Sequence, residues 1–107
     1  MNITELEPRA DEAAELLAAM SNPKRLLILC NLLHEELSVN ELVERVRLAQ
    51  SPLSQHLSKL RAMKLVATRR DGQMVLYRLA SDGVMRVLET LHGIYCVPAR
   101  PVAGGGA

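Results

Sequence analysis

The sequence contains no tryptophan or phenylalanine and only two tyrosines among its 107 residues. An aromatic core is therefore excluded, and the abundance of leucine indicates an aliphatic, helix-rich core. No apolar run approaches the ~18 residues that a membrane-spanning helix needs, and no basic-then-apolar leader opens the chain. We therefore expect a cytoplasmic protein without a membrane partner, folded as one domain.

Motifs for catalysis and for cofactors are also missing. The chain has no Cys-x-x-Cys and no glycine-rich phosphate loop. Ser54 and His56 are close in sequence, but side chains two residues apart on a helix do not face each other. We therefore expect neither an enzymatic activity nor a cofactor. The two cysteines, Cys30 and Cys96, are expected to be reduced thiols at rest, since a fixed disulfide is unusual in the cytoplasm.

The stretch from Ser38 to Leu79 carries the strongest structural signals. Its pattern predicts a helix, a turn, a second helix and a hairpin, with bounds Val39–Val46, Arg47–Gln50, Pro52–Met63 and a type I′ turn at Asp71-Gly72. Ser38 and Glu41 fit a capping box at the first helix, and Ser51 is the predicted cap of the second. A helix-turn-helix followed by a hairpin is a winged helix-turn-helix, whose usual partner is nucleic acid.

The second of these helices has two different faces. Leu53, Leu57 and Leu60 share the face that should dock on the domain, and the opposite face is polar with little acid, which suits the major groove of DNA. The hairpin would carry further contacts beside its tip. The predicted DNA-binding residues are Gln50, Ser51, Ser54, Gln55, His56 and Lys59 on the helix, with Arg69, Arg70 and Gln73 on the wing.

Charge is divided unevenly along the chain. From Arg45 to Arg78 there are eight Lys or Arg and one acid, a net charge of +7, whereas residues 1–44 carry three basic and nine acidic residues, a net charge of −6. The near-neutral total of +1 therefore hides a basic segment that suits a polyanion. The alternatives are that these arginines only solvate a surface, or that the winged helix contacts protein. Steep weakening of binding by salt would indicate DNA.

The rest of the chain completes a mainly α fold with a β-hairpin wing: four helices, the two-stranded wing and a fifth, C-terminal helix. The remaining helices are predicted at Arg9–Met20, from Lys24 to about His34, and from after Ser81 to about Tyr95. The first and last carry apolar stripes, and the second, apolar nearly all round, should be central. Residues 9–96 are the predicted domain, residues 1–8 a flexible lead, and residues 97–107 a disordered tail rich in proline and glycine.

Several short motifs together resemble the ArsR/SmtB family of bacterial repressors. They are Asn22-Pro23-Lys24-Arg25-Leu26, Glu36-Leu37-Ser38-Val39, Gln50-Ser51-Pro52-Leu53-Ser54-Gln55-His56-Leu57 and Thr68-Arg69-Arg70-Asp71-Gly72. The resemblance covers about residues 10–96 and implies a homodimer formed by the first and last helices. It also implies a repressor of double-stranded operator DNA that an inducer releases. Two positions depart from the family pattern: Pro52 replaces the frequent Ala, and Lys64 replaces the usual Gly.

The family's two common metal sites are incomplete in this sequence. Ser38 and Asn40 stand where metal-sensing members often have cysteines, and the last helix lacks the usual Asp-x-His opening. Cys30 and Cys96 instead resemble the dithiol branch, whose members sense persulfide, polysulfide or other oxidants. That resemblance implies a cross-link between the two thiols, either a disulfide or a bridge with extra sulfur.

Two histidines leave other interpretations open. His34 lies four residues after Cys30, and His92 lies four before Cys96. An imidazolium near a thiol would lower the thiol pKa and tune its reactivity. The same four residues, Cys30, His34, His92 and Cys96, could instead bind zinc as a Cys₂His₂ set. Alternatively, Cys30 is a small core residue, Cys96 a free thiol, and each histidine a solvated helix residue.

Overall fold

The computed structural model describes residues 2–96, which form helices and one antiparallel sheet of three strands. The helical elements are α1 (Ile3–Leu6), a 3-10 turn (Glu7–Arg9), α2 (Ala10–Met20), α3 (Pro23–Asn31), α4 (Val39–Val46), α5 (Gln50–Ala62) and α6 (Asp82–Tyr95). The strands are β1 (Leu37–Ser38), β2 (Val66–Asp71) and β3 (Met74–Leu79), in the order β1-β3-β2. Helices α4 and α5 with the β2–β3 hairpin form a winged helix-turn-helix, which confirms the predicted fold class.

The N-terminal lead, the end of α3 and strand β1 differ from the sequence prediction. The lead before Arg9 contains helical turns, because the Asn2 side chain caps α1 by accepting from the Thr4 amide at 3.0 Å. Helix α3 ends at Asn31, before the predicted end near His34. Strand β1 was not predicted, since its two residues are too few to show an alternating pattern. The predicted tail, residues 97–107, lies outside the described residues.

Helix α3 and one face of α5 form the centre of the core. Ile28 and Leu29 of α3 are fully buried, whereas Leu27 is 45% exposed, so only one side of this apolar helix faces the core. Leu53, Leu57 and Leu60 of α5 are buried as well, which confirms the predicted inward face. The other fully buried side chains are Leu37, Leu42, Val46, Val84 and Leu88. No helix among residues 2–96 has both the length and the apolar character to cross a bilayer.

The start of α4 is the capping box that the sequence predicts. The Glu41 amide donates to Ser38 Oγ at 3.3 Å, and the Ser38 amide donates to Glu41 Oε1 at 2.9 Å. The start of α5 differs from the prediction, because Ala49 rather than Ser51 is the cap residue and no side chain caps the helix. Pro52 explains the error: the first-turn amides have no intrahelical partner, so proline marks the first turn without fixing its first residue.

The wing turn lies one residue later than predicted. Asp71 pairs with Met74, so the two loop residues are Gly72 and Gln73. Of these two loop residues only Gly72 has positive φ, at 65°, whereas a type I′ turn needs positive φ at both central residues. The predicted type I′ turn at Asp71-Gly72 is therefore wrong, and glycine at the first central position is the requirement of a type II′ turn.

Lys64 ends α5 in a left-handed conformation. Its φ is 63°, and the Lys64 and Leu65 amides donate to Arg61 O and Leu60 O, both at 2.9 Å. This pattern is a Schellman motif, whose left-handed position usually holds glycine. Leu65 and Leu60 are both buried, as the motif's apolar contact requires. A Cβ atom at this position costs about 1–2 kcal/mol of backbone free energy.

Replacing Lys64 with glycine should therefore stabilise the protein. We expect Lys64→Gly to raise the free energy of unfolding by about 1 kcal/mol, after allowing for the extra chain entropy of glycine. Urea unfolding at one fixed protein concentration measures the change. Lys64→Ala is the matched control, because it removes the same side chain but keeps Cβ. An equal gain from alanine would attribute the effect to the lysine side chain instead.

Candidate nucleic-acid interface and thiol pair

The outer face of α5 is a continuous polar surface. Among the predicted DNA-binding residues of this helix, Gln50, Ser51, Gln55 and Lys59 are exposed, while Ser54 and His56 are partly buried. One shallow, open depression is lined by Gln50, Ser51, Ser54, Gln55, Ser58 and Lys59. Ser58 was absent from the predicted set, although its spacing from Ser54 and Gln55 already put it on this face. We call α5 the reading helix.

His56 lies at the edge of this surface in an electropositive setting. Partial burial is the main cause that lowers its pKa, and the charges of Arg25 and Lys59 lower it further. A lowered pKa favours the neutral imidazole, in which one ring nitrogen donates and the other accepts. His56 thus adds a hydrogen-bonding group without adding charge to the reading helix.

The wing arginines lie in different environments. The Arg69 guanidinium forms a bidentate ion pair with Glu36, with Nε 2.9 Å from both carboxylate oxygens and Nη2 2.8 Å from Oε1. This hydrogen-bonded pair, with a smaller contribution from Arg78, lowers the pKa of Glu36. Arg69, predicted as a DNA contact, is thus held against the segment that enters α4. Arg70 and Gln73 are exposed near the wing tip, and within residues 2–96 no ion pair involves Arg70.

The two cysteines come from helices that pack together. Cys30 lies near the end of α3, and Cys96 caps α6, where its amide donates to His92 O at 2.8 Å. Both are free and exposed thiols. The pKa of Cys30 is raised, mainly by partial desolvation of its thiol and also by the proximity of Cys96. Helices α3 and α6 are in contact, so the fold places Cys30 and Cys96, far apart in sequence, on neighbouring helices.

His34 does not stand beside Cys30 as the sequence predicted. His34 lies beyond the end of α3, so it does not share a continuous helix face with Cys30. The Cys30 pKa is raised, whereas tuning by an imidazolium would lower it. Within the part of the chain that the structure describes, no three His, Cys, Asp or Glu side chains are grouped as metal ligands. The predicted zinc set of Cys30, His34, His92 and Cys96 is therefore not assembled in the single chain.

Apolar side chains are exposed on α2 and α6. Leu17 on α2 is 56% exposed, and Ile94 and Tyr95 at the end of α6 are 61% and 79% exposed. A contiguous surface of such side chains is typical of one that another protein covers. These two helices are the first and last long helices of the described chain.

The chain is a DNA-binding transcriptional regulator of the winged helix-turn-helix class. This follows from the polar outer face of the reading helix, the β2–β3 wing and the basic excess of the segment that contains them. The chain belongs to the arsR family of bacterial regulatory proteins, whose family model matches residues 22–68. It is 56% identical over 86 residues to nodulation protein NolR of Rhizobium meliloti, covering 80% of this chain and 70% of NolR. It is 51% identical over 96 residues to transcriptional activator HlyU of Vibrio cholerae, covering 90% of this chain and 89% of HlyU.

Solved structures agree with these sequence relationships. The crystal structure of the transcriptional repressor BigR from Xylella fastidiosa superposes with a TM-score of 0.85 at 37% identity, covering 91% of this chain and 99% of BigR. The structure of reduced HlyU from Vibrio cholerae gives a TM-score of 0.81 at 50% identity, covering 87% and 98%. BigR is named a transcriptional repressor and HlyU a transcriptional activator, and this chain is a transcriptional regulator rather than an enzyme.

Neutralising Glu36 tests whether the ion pair holds Arg69 away from DNA. We expect Glu36→Gln to raise affinity for all DNA sequences alike and to steepen the salt dependence by about one released counterion, because Arg69 becomes free to reach a phosphate. DNA titrations at several salt concentrations measure both quantities.

Glu35→Gln is the matched control for this experiment. It removes the same charge from the neighbouring position, where Glu35 pairs with Arg45 at 2.7 Å instead of with the wing. An equal gain from both variants would mean that only net charge matters. A loss of affinity in Glu36→Gln would mean that the pair orients the wing for binding.

Proposed function

We propose that this protein is a homodimeric repressor that binds a pseudo-palindromic operator and releases it when Cys30 and Cys96 are cross-linked by a persulfide or another oxidant. The sensing part of the proposal is supported by the position of two exposed free thiols on helices α3 and α6, which are in contact. Membership of the arsR family supports the DNA-binding part.

Operator recognition would rest on α5 and the wing. The exposed amide and hydroxyl groups of Gln50, Ser51 and Gln55 can bond base edges, while Lys59 and Arg70 can reach phosphates. The +7 charge of the segment from Arg45 to Arg78 favours DNA over a protein partner. The relatives differ in the direction of regulation that their names give: HlyU is named an activator and BigR a repressor. For this chain we propose repression.

Assembly would place α2 and α6 at a two-fold axis. The exposed Leu17, Ile94 and Tyr95 supply the apolar surface that such an axis buries. A two-fold pair of reading helices fits half-sites about one turn of DNA apart. Since α6 would belong to the dimer interface, a change at its end alters the spacing of the two reading helices.

The sensing chemistry needs only the two thiols and a persulfide, RSSH. One cysteine thiolate attacks the terminal sulfur, forming a protein persulfide and releasing RS⁻. The second thiolate attacks the cysteine-bound sulfur, forming the Cys30–Cys96 disulfide and expelling HS⁻. Two thiols are oxidised by two electrons, and the persulfide is reduced to a thiol and hydrogen sulfide. Both free thiols are exposed, so the inducer has access to them in the described chain.

A loss of operator affinity of one or two kcal/mol per half-site is enough for release. The cross-link would tie the end of α6 to α3 and so move an element of the dimer interface relative to the reading helix. The bond must also be reducible in the cell, which distinguishes it from a structural disulfide.

Substituting Gln55 tests the reading helix. On an operator selected from random DNA, Gln55→Ala should lose preference at one position in each half-site, at a cost of about 1–3 kcal/mol, because one bidentate base contact disappears. Arg70→Ala should instead weaken all sequences alike and flatten the salt dependence. Titrations against single-base operator variants measure both effects. Unchanged sequence preference in Gln55→Ala would move recognition away from this residue.

Serine substitutions test the thiol switch. Cys30→Ser and Cys96→Ser should each fold, dimerise and bind the operator, yet remain bound after persulfide treatment that releases the wild type. Intact-mass analysis should show wild-type chains that have lost two hydrogens, or have gained extra sulfur if the bridge is longer. Normal release by either single variant would contradict the switch. Release by zinc that a chelator reverses would favour the Cys₂His₂ alternative.

A further inference from the structure

Helix α3 carries a cysteine near one end and a lysine that contacts another helix at the other end. Cys30 lies near its C-terminal end, and Lys24 lies in its first turn. The helix has nine residues and is therefore about 13 Å long. Ile28 and Leu29 on its inner side are fully buried, so the helix is anchored in the core between these two ends.

Lys24 binds the end of α4. Its ammonium Nζ donates to Val46 O at 2.9 Å and lies 3.4 Å from Arg47 O. The last carbonyls of a helix have no intrahelical partner and form the negative end of its dipole, so a lysine ammonium is well placed there. Arg47 then takes a left-handed conformation, with φ of 59°, and begins the turn into the reading helix. Lys24 therefore holds the backbone where α4 turns towards α5.

The first turn of α3 is itself firmly held. Asn22 caps the helix by accepting from the Lys24 and Arg25 amides at 2.9 and 3.1 Å. Arg25 donates through Nε to Ala19 O at 2.6 Å and through Nη2 to Ala18 O at 3.3 Å, which ties α3 to the end of α2. With these bonds in place, a tilt or shift of α3 displaces Lys24 and the α4 carbonyls together.

We propose that Lys24 is a positioning residue that transmits the state of Cys30 and Cys96 to the reading helix. This inference rests on the proposed thiol switch and names the route by which that switch acts within one subunit. The cross-link draws the C-terminal end of α3 towards α6. Because Ile28 and Leu29 anchor the middle of α3, a pull at its C-terminal end would tilt the helix, shifting Lys24 together with the Val46–Arg47 backbone and the start of α5.

Coupling of this kind is a ratio of affinities. The relevant quantity is operator affinity of the reduced protein divided by that of the cross-linked protein, and ratios of about 5–150 are typical of coupled sites. Lys24 belongs to the route only if its removal shrinks this ratio while the cross-link still forms. A residue that merely stabilises the fold would leave the ratio unchanged.

The test uses the full chain with Lys24→Met, which keeps much of the side chain's length but removes its donors. We expect Lys24→Met to form the cross-link as fast as the wild type by intact mass. Its reduced form should bind the operator several-fold more weakly, and its affinity ratio should fall towards about 1. Lys24→Arg, which keeps a cationic donor, should restore the ratio. Lys24→Gln serves as a second variant if the methionine protein folds poorly.

Asn31→Ala is the matched control on the same helix. The Asn31 side chain donates to Leu27 O at 2.8 Å, a bond within α3 that joins no other element. We expect this variant to keep the wild-type affinity ratio. A fall equal to that of Lys24→Met would mean that any weakening of α3 has the same effect and would overturn the specific role of Lys24.

The remaining outcomes separate this inference from the proposed function. Cross-linking and full release in Lys24→Met would overturn the Lys24 route and leave the thiol switch intact. A salt dependence flatter by about one counterion, with an unchanged ratio, would make Lys24 a phosphate contact instead. A wild-type protein that cross-links without releasing DNA would overturn the switch and the route together.

Discussion

The arrangement of the helices depends on hydrogen bonds from two basic side chains of α3 to the last carbonyls of α2 and α4. Two helices, α2 and α4, end against the first turn of α3, and their terminal carbonyls accept from Arg25 and Lys24. Two long cationic side chains on adjacent residues thus point to different helices, while Asn22 holds the turn that presents them. Since such carbonyls would otherwise need water, these bonds fix both the angle between α2 and α3 and the place where α4 gives way to the reading helix.

Two of the arginines in the basic segment are held in ion pairs, so only part of its charge is available to contact DNA. Glu35 and Glu36, which lie just before β1 and α4, form ion pairs with Arg45 of α4 and Arg69 of the wing. These pairs are partly exposed, so they add little stability but fix the geometry of two guanidinium groups. The net charge of the segment therefore overstates the number of cations available to phosphates. The polar helix face and the wing tip are left as the accessible part of the surface.

The sequence predicted the features that depend on residues close together in the chain. The capping box of Ser38 and Glu41 and the buried leucines of α5 follow from spacing along a single helix, and both predictions are confirmed. The wing turn was misplaced by one residue, because an Asp-Gly pair marks a turn without fixing which residues pair across it. The predicted cap at Ser51 failed because Pro52 is tolerated anywhere in a first turn.

Contacts between distant segments could not be predicted from the sequence. The pairing of Arg69 with Glu36 spans 33 positions, and the bond from Lys24 to Val46 spans 22. Neither has a sequence signature, since any basic residue near a carboxylate or a helix end would look the same. The nearness of Cys30 to Cys96 came from a family resemblance rather than from spacing, and the fold places them in range by packing α3 against α6.

The environment of Cys30 has a kinetic consequence for the proposed switch. Partial desolvation raises the pKa of its thiol, so Cys30 would hold less thiolate at a given pH than an unperturbed cysteine. The proposed cross-link would then close more slowly, because the thiolate is the attacking form. In a cell, a regulator with such a closing step would average the oxidant level over time and would respond to sustained exposure more fully than to a brief pulse.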